Sequence, residues 1–218
     1  MTTKISEHHI EVKRTARFYS SGGINEKTKT VWFVLHGFAQ LAKNFISEFD
    51  ILSDEQTIII APEGLSRSNF GRDSSSHIGA SWMSKEDRLN EISDYVAYLD
   101  DLYKELIRNS PAKVNVLGFS QGGSTAARWF VNGNSRINKL FIWSSDIAKD
   151  VDFIAFKKKS TETEIFYVYG SEDSSYSNKN FSDSMNFMNE NEIRFSEKKF
   201  IGGHEINKEM LKSLSNGS

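Results

Sequence analysis

The sequence predicts an α/β fold, a mostly parallel central sheet with helices on both faces. Short apolar runs such as Val31-Trp32-Phe33-Val34-Leu35 and Thr57-Ile58-Ile59-Ile60-Ala61 read as strands buried on both sides. Such runs alternate along the chain with longer segments whose apolar residues recur at helical spacing. At one junction, Gly118-Phe119-Ser120-Gln121-Gly122-Gly123, a serine stands between glycines where a strand meets a helix.

Taken in order, Ile5 to Tyr19 alternates polar and apolar residues and predicts one or two edge strands with a turn. Thr30 to Leu35 is a buried strand ending in His36-Gly37-Phe38-Ala39-Gln40, and a helix is expected from about Lys43 to Leu52. Thr57 to Ala61 is the next strand, stopped by Pro62. Glu63 to Ser81 reads as a Gly/Ser-rich loop, with Trp82 at its far end. Ser84-Lys85-Glu86-Asp87 resembles a helix start, and Leu89, Ile92, Val96, Leu99, Tyr103 and Leu106 follow at helical spacing as a core stripe. The serine junction supplies a strand from Lys113 and a helix through Ala126 to Trp129. Strands are then expected at Lys139–Trp143, Glu164–Tyr169 and Arg194–Ile201, and helices at Asn178–Asn191 and Glu205–Leu214. No repeat or linker interrupts this pattern, so residues 1–218 read as one domain.

Composition excludes several classes. The chain has 218 residues, a formal net charge of −2 and no cysteine. It therefore offers no basic field for nucleic acid, no disulfide, no thiolate metal site and no cysteine nucleophile. Lys157-Lys158-Lys159 is the one marked basic run and reads as a solvated face. No histidines show ligand spacing beside carboxylates, so no metal site is expected. Met1 to Val12 lacks the apolar run of a secretory signal, and no stretch is long enough to span a bilayer. A cytoplasmic protein without stable membrane association is expected.

A serine hydroxyl becomes a nucleophile only when a base takes its proton and a carboxylate orients that base. In open α/β sheets such groups gather where strands end at their carboxyl edge. Ser120, Asp146, Asp173 and His204 all follow predicted strands, and Ser120–Asp173–His204 is the order expected after a strained serine turn. His36 begins a turn where an imidazole more often packs than transfers protons. For the acid, Asp173 in Gly170-Ser171-Glu172-Asp173 is favoured over Asp146, with Glu172 a third choice. Backbone N–H groups of Gln121 and Phe38 are the expected oxyanion donors.

These pieces resemble the phospholipase/carboxylesterase family of α/β-hydrolases, the group that includes acyl-protein thioesterases. The resemblance rests on Leu35-His36-Gly37-Phe38, Ala61-Pro62, Trp82, Gly118-Phe119-Ser120-Gln121-Gly122-Gly123, Gly170-x-x-Asp173 and Gly203-His204. It implies the α/β-hydrolase fold without a large lid domain, and hydrolysis of esters or thioesters through an acyl-serine, with no cofactor. By the same resemblance Ser120, Asp173 and His204 form the triad, and Phe38 and Gln121 the oxyanion hole.

Three positions depart from the family: Ala39 replaces a second glycine, Met83-Ser84 follows Trp82, and the 63–81 loop differs in content. They bear on substrate rather than chemistry. Small or partly exposed acyl substrates are expected, with Phe70, Trp82 and Met83 beside Phe38 as candidates for an apolar wall. The partner is a small-molecule ester or thioester, and the assembly a monomer or homodimer. The rival readings are a non-catalytic binding protein on the same fold, and a serine hydrolase of another acyl bond such as a peptide or acyl sugar.

Overall fold

A computed structural model describes residues 4–71 and 76–216. The readings of Met1–Val12, of the 63–81 loop and of the single domain extend onto residues 1–3, 72–75 and 217–218, which lie outside the described residues. Seven strands form the main sheet: β1 (Phe18–Ser20), β2 (Thr30–Leu35), β3 (Thr57–Pro62), β6 (Lys113–Phe119), β7 (Lys139–Trp143), β8 (Glu164–Gly170) and β9 (Ser196–Phe200). Their spatial order is β1-β3-β2-β6-β7-β8-β9. Every adjacent pair is parallel except β1 with β3. The α/β-hydrolase architecture is thus present, with no large additional domain among the described residues.

The strands alternate their side chains between two cores, which is why they read as continuous apolar runs. Val31, Phe33 and Leu35 of β2 face one core, built against α2 (Arg88–Ile107), α3 (Gln121–Asn132), α4 (Phe153–Lys159) and α5 (Asn178–Glu190). Trp32 and Val34 face the other, closed by α1 (Ala42–Phe45), a 3₁₀ turn over Ile46–Leu52, and α6 (Lys208–Asn216). In α2 the stripe Ile92, Val96 and Leu99 is buried as expected, whereas Leu89 is 77% exposed. Among the described residues, no helix is long and apolar enough to cross a membrane.

Several expectations need correction. Only Phe18–Ser20 of the N-terminal segment is a strand, and Ile5, Ile10 and Val12 are exposed. Alternation there lacked a partner strand to pair with, and pairing is what makes a strand. The 63–81 segment is not a plain loop: β4 (Ser66–Phe70) and β5 (His77–Ser81) form a separate antiparallel hairpin. Helix α2 begins at Arg88, not Ser84, because the Glu91 carboxylate accepts from both the N–H and the hydroxyl of Ser84. Helix α4 is an addition, started by Asp152, whose carboxylate accepts from the N–H groups of Ile154 and Ala155. The expected helix from Lys43 is mostly 3₁₀. Nor is the lysine run wholly a solvated face, since Lys159 donates to the carbonyls of Phe130 and Gly133 at the end of α3.

Candidate active site

Local sequence builds the serine turn. Strand β6 ends at Phe119, α3 starts at Gln121, and Ser120 between them has φ 54° and ψ −121°. That conformation is strained for a residue with a side chain, at a cost of order 1–3 kcal/mol. The turn closes only because its glycines lack side chains. A Cβ on Gly118 would lie 2.0 Å from the Gly122 carbonyl oxygen, and one on Gly122 would lie 2.2 Å from the Leu35 oxygen. The Ser120 N–H donates to the Trp143 carbonyl at 2.9 Å, which ties the turn to the end of β7.

The ends of β8 and β9 bring a second pair of groups together. His204 Nδ1 and Asp173 Oδ2 are 2.8 Å apart, with the carboxylate side chain fully buried and the imidazole 21% exposed. The other carboxylate oxygen accepts from the N–H groups of Ser175 and Tyr176. With the carboxylate as acceptor, Nδ1 carries the proton and Nε2 is left as the basic nitrogen. Phe119, the neighbour of Ser120, lays its ring on the imidazole with centroids 4.7 Å apart.

Asp146 does not meet His204. Its carboxyl lies by Ser184, Lys149 and Asp183, and burial raises its pKa above the usual range. Glu172 is exposed, and its N–H donates to the Gly202 carbonyl.

The turn after β2 lies directly on the serine. A Cβ on Gly37 would be 3.2 Å from Cβ of Ser120. Among the described residues, no hydrogen bond engages the backbone N–H of Phe38 or of Gln121. Both amides are thereby left without a protein acceptor, one next to Ser120 in the chain and one next to Gly37, which lies on it. The Gln121 side chain is occupied elsewhere, donating to the carbonyl of Met83 and accepting from the N–H of Trp82. His36 is buried and structural: Nδ1 donates to the Gly37 carbonyl, while Nε2 accepts from the Gly64 N–H. Burial holds its pKa below the ordinary value.

The expected apolar wall divides. Phe70 packs edge-on to Phe38 at 5.0 Å, and Phe38 is 57% exposed, so these two rings form an open apolar rim. Trp82 belongs to the core instead. It is 1% exposed, stacks on His36 and donates from its ring N–H to the His36 carbonyl. Met83 is half-buried against the same core, its sulfur 3.5 Å from Arg128. A tryptophan ending a strand has two sides to choose from, and here the hydrogen bond to His36 draws it inward.

Sequence reasoning missed Glu63. Its carboxylate, 1% exposed, accepts from Arg17, Arg67 and the Ala42 N–H, joining β3, β4 and α1 to the segment before β1. A lone glutamate after a proline carries no local signal for this. A cavity of about 700 Å³, lined by Thr30, Asn115 and Lys139 among others, lies at the opposite end of the sheet and holds none of the expected site residues.

A family model described as Phospholipase/Carboxylesterase matches residues 24–217. No curated protein matches the chain. Among solved structures, esterase PE8 is similar with TM-score 0.68 and 17% identity, covering 93% of this chain and 97% of its own. Acyl-protein thioesterase 2 of Zea mays gives TM-score 0.68 and 15% identity over 92% and 96% of the two chains. A phospholipase/carboxylesterase from Dyadobacter fermentans gives 0.64 and 16% over 93% and 96%. At these identities the structural likeness is one of fold, and membership rests on the match across 24–217. The chain belongs to the phospholipase/carboxylesterase family.

Proposed function

We propose that the chain is a serine hydrolase that cleaves carboxylic esters or thioesters of small or partly exposed acyl groups. The observation that carries this reading is the buried Asp173–His204 pair, 2.8 Å apart, on the sheet edge that presents the strained Ser120. Family membership and the esterase and thioesterase neighbours support the same class.

In this reading His204 Nε2 takes the Ser120 proton as Oγ attacks the acyl carbon. Asp173 holds the imidazole in the needed tautomer and stabilises the imidazolium. The oxyanion accepts from the N–H groups of Phe38 and Gln121, each such donor contributing roughly 3–4 kcal/mol to lowering the barrier. Collapse expels the alcohol or thiol with the proton from His204, leaving an acyl-serine. Water then repeats the sequence, giving its proton to His204 and releasing the acid. The chemistry calls for no cofactor. Phe38 and Phe70 flank the acyl chain, and their openness favours substrates that stay partly in solvent.

The test is hydrolysis of p-nitrophenyl esters over a chain-length series, with Ser120→Ala as the blank. Loss of the serine should cost up to about a millionfold in kcat if the triad acts as a unit. Turnover no higher than the blank across esters and matched thioesters would sink the proposal.

A further inference from the structure

We infer that Tyr176 is a positioning residue for His204, fixing the plane of the imidazole while its own backbone fixes Asp173. The inference rests on the hydrolase reading above.

A hydrogen bond at Nδ1 sets the direction of an imidazole but leaves it free to tilt about the bond axis. Ring contacts restrict that freedom, and the structure provides two of them. The Tyr176 ring lies parallel to His204, with centroids 5.8 Å apart and planes inclined by 22°. Phe119 makes a second, more tilted contact with the imidazole, at 4.7 Å and 43°. Behind Tyr176 stands Phe181 of α5 at 5.8 Å and 27°, and behind that Tyr169 of β8 at 4.5 Å and 28°. Phe181 is 1% exposed, so the column is anchored in the core. Five rings thus run from β8 through the base to the residue preceding Ser120.

The same residue acts through its main chain. The Tyr176 N–H donates to Asp173 Oδ1 at 3.0 Å, beside the Ser175 N–H at 2.8 Å. Oδ2 is then left for His204. The segment is braced on its far side by the Ser177–Asn180 capping box that starts α5. Tyr176 therefore touches both acid and base, the acid through its amide and the base through its ring. Burial lifts the phenol's pKa and the Asp146 and Asp173 carboxylates push it the same way, against a backbone hydrogen bond at Asp146. The ring, which is the part that lies against His204, is assigned the positioning role.

The experiment compares Tyr176→Phe, Tyr176→Leu and Tyr176→Met in the full chain, reading kcat and KM with a p-nitrophenyl ester. It also follows the downfield proton resonance of the Nδ1–H of His204, assigned by its loss in Asp173→Asn. Displacements near 1 Å in an active site can cost about a hundredfold. Tyr176→Leu should lower kcat at least about tenfold with KM within about twofold, and should broaden the resonance by freeing the ring. Tyr176→Met, an unbranched apolar side chain of about leucine's size, should fall in the same direction, and Tyr176→Phe should match the parent in both readouts.

A Leu or Met variant with parental kcat and a sharp resonance would overturn the inference, as would a Phe variant that falls as far as Leu. Failure of the underlying reading looks different: Ser120→Ala would match the parent with every ester and thioester, whatever the resonance shows.

Discussion

Gly79 and Ala39 meet backbone to backbone: a Cβ on Gly79 would sit 2.3 Å from the Ala39 carbonyl oxygen. The contact seats the β4–β5 hairpin on the turn that carries Phe38, and the Ala39 N–H donates to the Ala80 carbonyl there. Ala39 itself is left-handed, with φ 61°, where its family usually has glycine. Gly79→Ala should push the hairpin off this seat. It is expected to cost about 1–3 kcal/mol, read as a lowered Tm, and to shift the acyl-chain preference. Ala39→Gly should act oppositely. Relief of about 1–2 kcal/mol of left-handed strain exceeds the added unfolded-chain entropy, so Tm should rise by a few degrees.

Asp173 and Asp146 separate by their surroundings. Asp173→Asn should leave the imidazole in the wrong tautomer and lower kcat by about 10⁴-fold. Asp146→Asn should stay within about tenfold, since its carboxyl lies by Ser184 and Lys149. Steady-state kinetics on the two variants, each checked by circular dichroism, decide the point. A larger loss in Asp146→Asn would reverse the assignment.

Acid should destabilise the protein over two pH ranges. Burial depresses the folded-state pKa of His36 below 6.5, so below that pH the unfolded chain binds a proton that the folded chain refuses. Stability therefore falls as pH drops through about 6.5. Burial alone would raise Glu63, but hydrogen bonds from Arg17 and Arg67 outweigh it and hold the carboxyl below 4.5. Its contribution is full above 4.5 and is lost as pH falls through the depressed value. In denaturant titrations from pH 8 to pH 3, His36→Gln should flatten the fall in the first range. Glu63→Gln should flatten the second while costing about 1–3 kcal/mol at neutral pH. Parallel curves for parent and variants would show that neither group drives acid lability.

Trp82 and Phe70 should respond differently to truncation. Trp82→Ala empties a core position and is expected to cost about 3–5 kcal/mol of stability, with the chain-length optimum unchanged. Phe70→Ala, at the rim, should leave Tm nearly unchanged and move the optimum. Ester series and melting curves on both variants check this. A shifted optimum in a stable Trp82→Ala protein would return Trp82 to the acyl wall.

Much of the architecture was legible because strands buried on both faces announce themselves by composition. Thr30–Leu35 and Lys139–Trp143, as expected from composition, coincide with the bounds of β2 and β7. The pairing of β4 with β5 was not legible, because four of the five residues of β4 are exposed and no apolar alternation marks it. Helix α4 could have been found from Asp152 ahead of Phe153 and Phe156, a capping residue before helical spacing. The false start at Ser84 shows the converse. A capping signature is local, and a nearby carboxylate such as Glu91 can take the same serine for another purpose.

The strained serine turn, the two-sided strands and the order Ser120, Asp173, His204 follow from the sequence alone. Backbone sterics and side-chain period set these features over a few residues, so neighbours in sequence suffice to read them. The tertiary structure alone decided which carboxylate meets His204, where Trp82 points, and that Tyr176 lies against the imidazole. Asp173 and His204 are 31 residues apart, Trp82 and His36 46. Such meetings depend on how strand ends lie side by side at the sheet edge, and that is a property of the packed chain rather than of any segment.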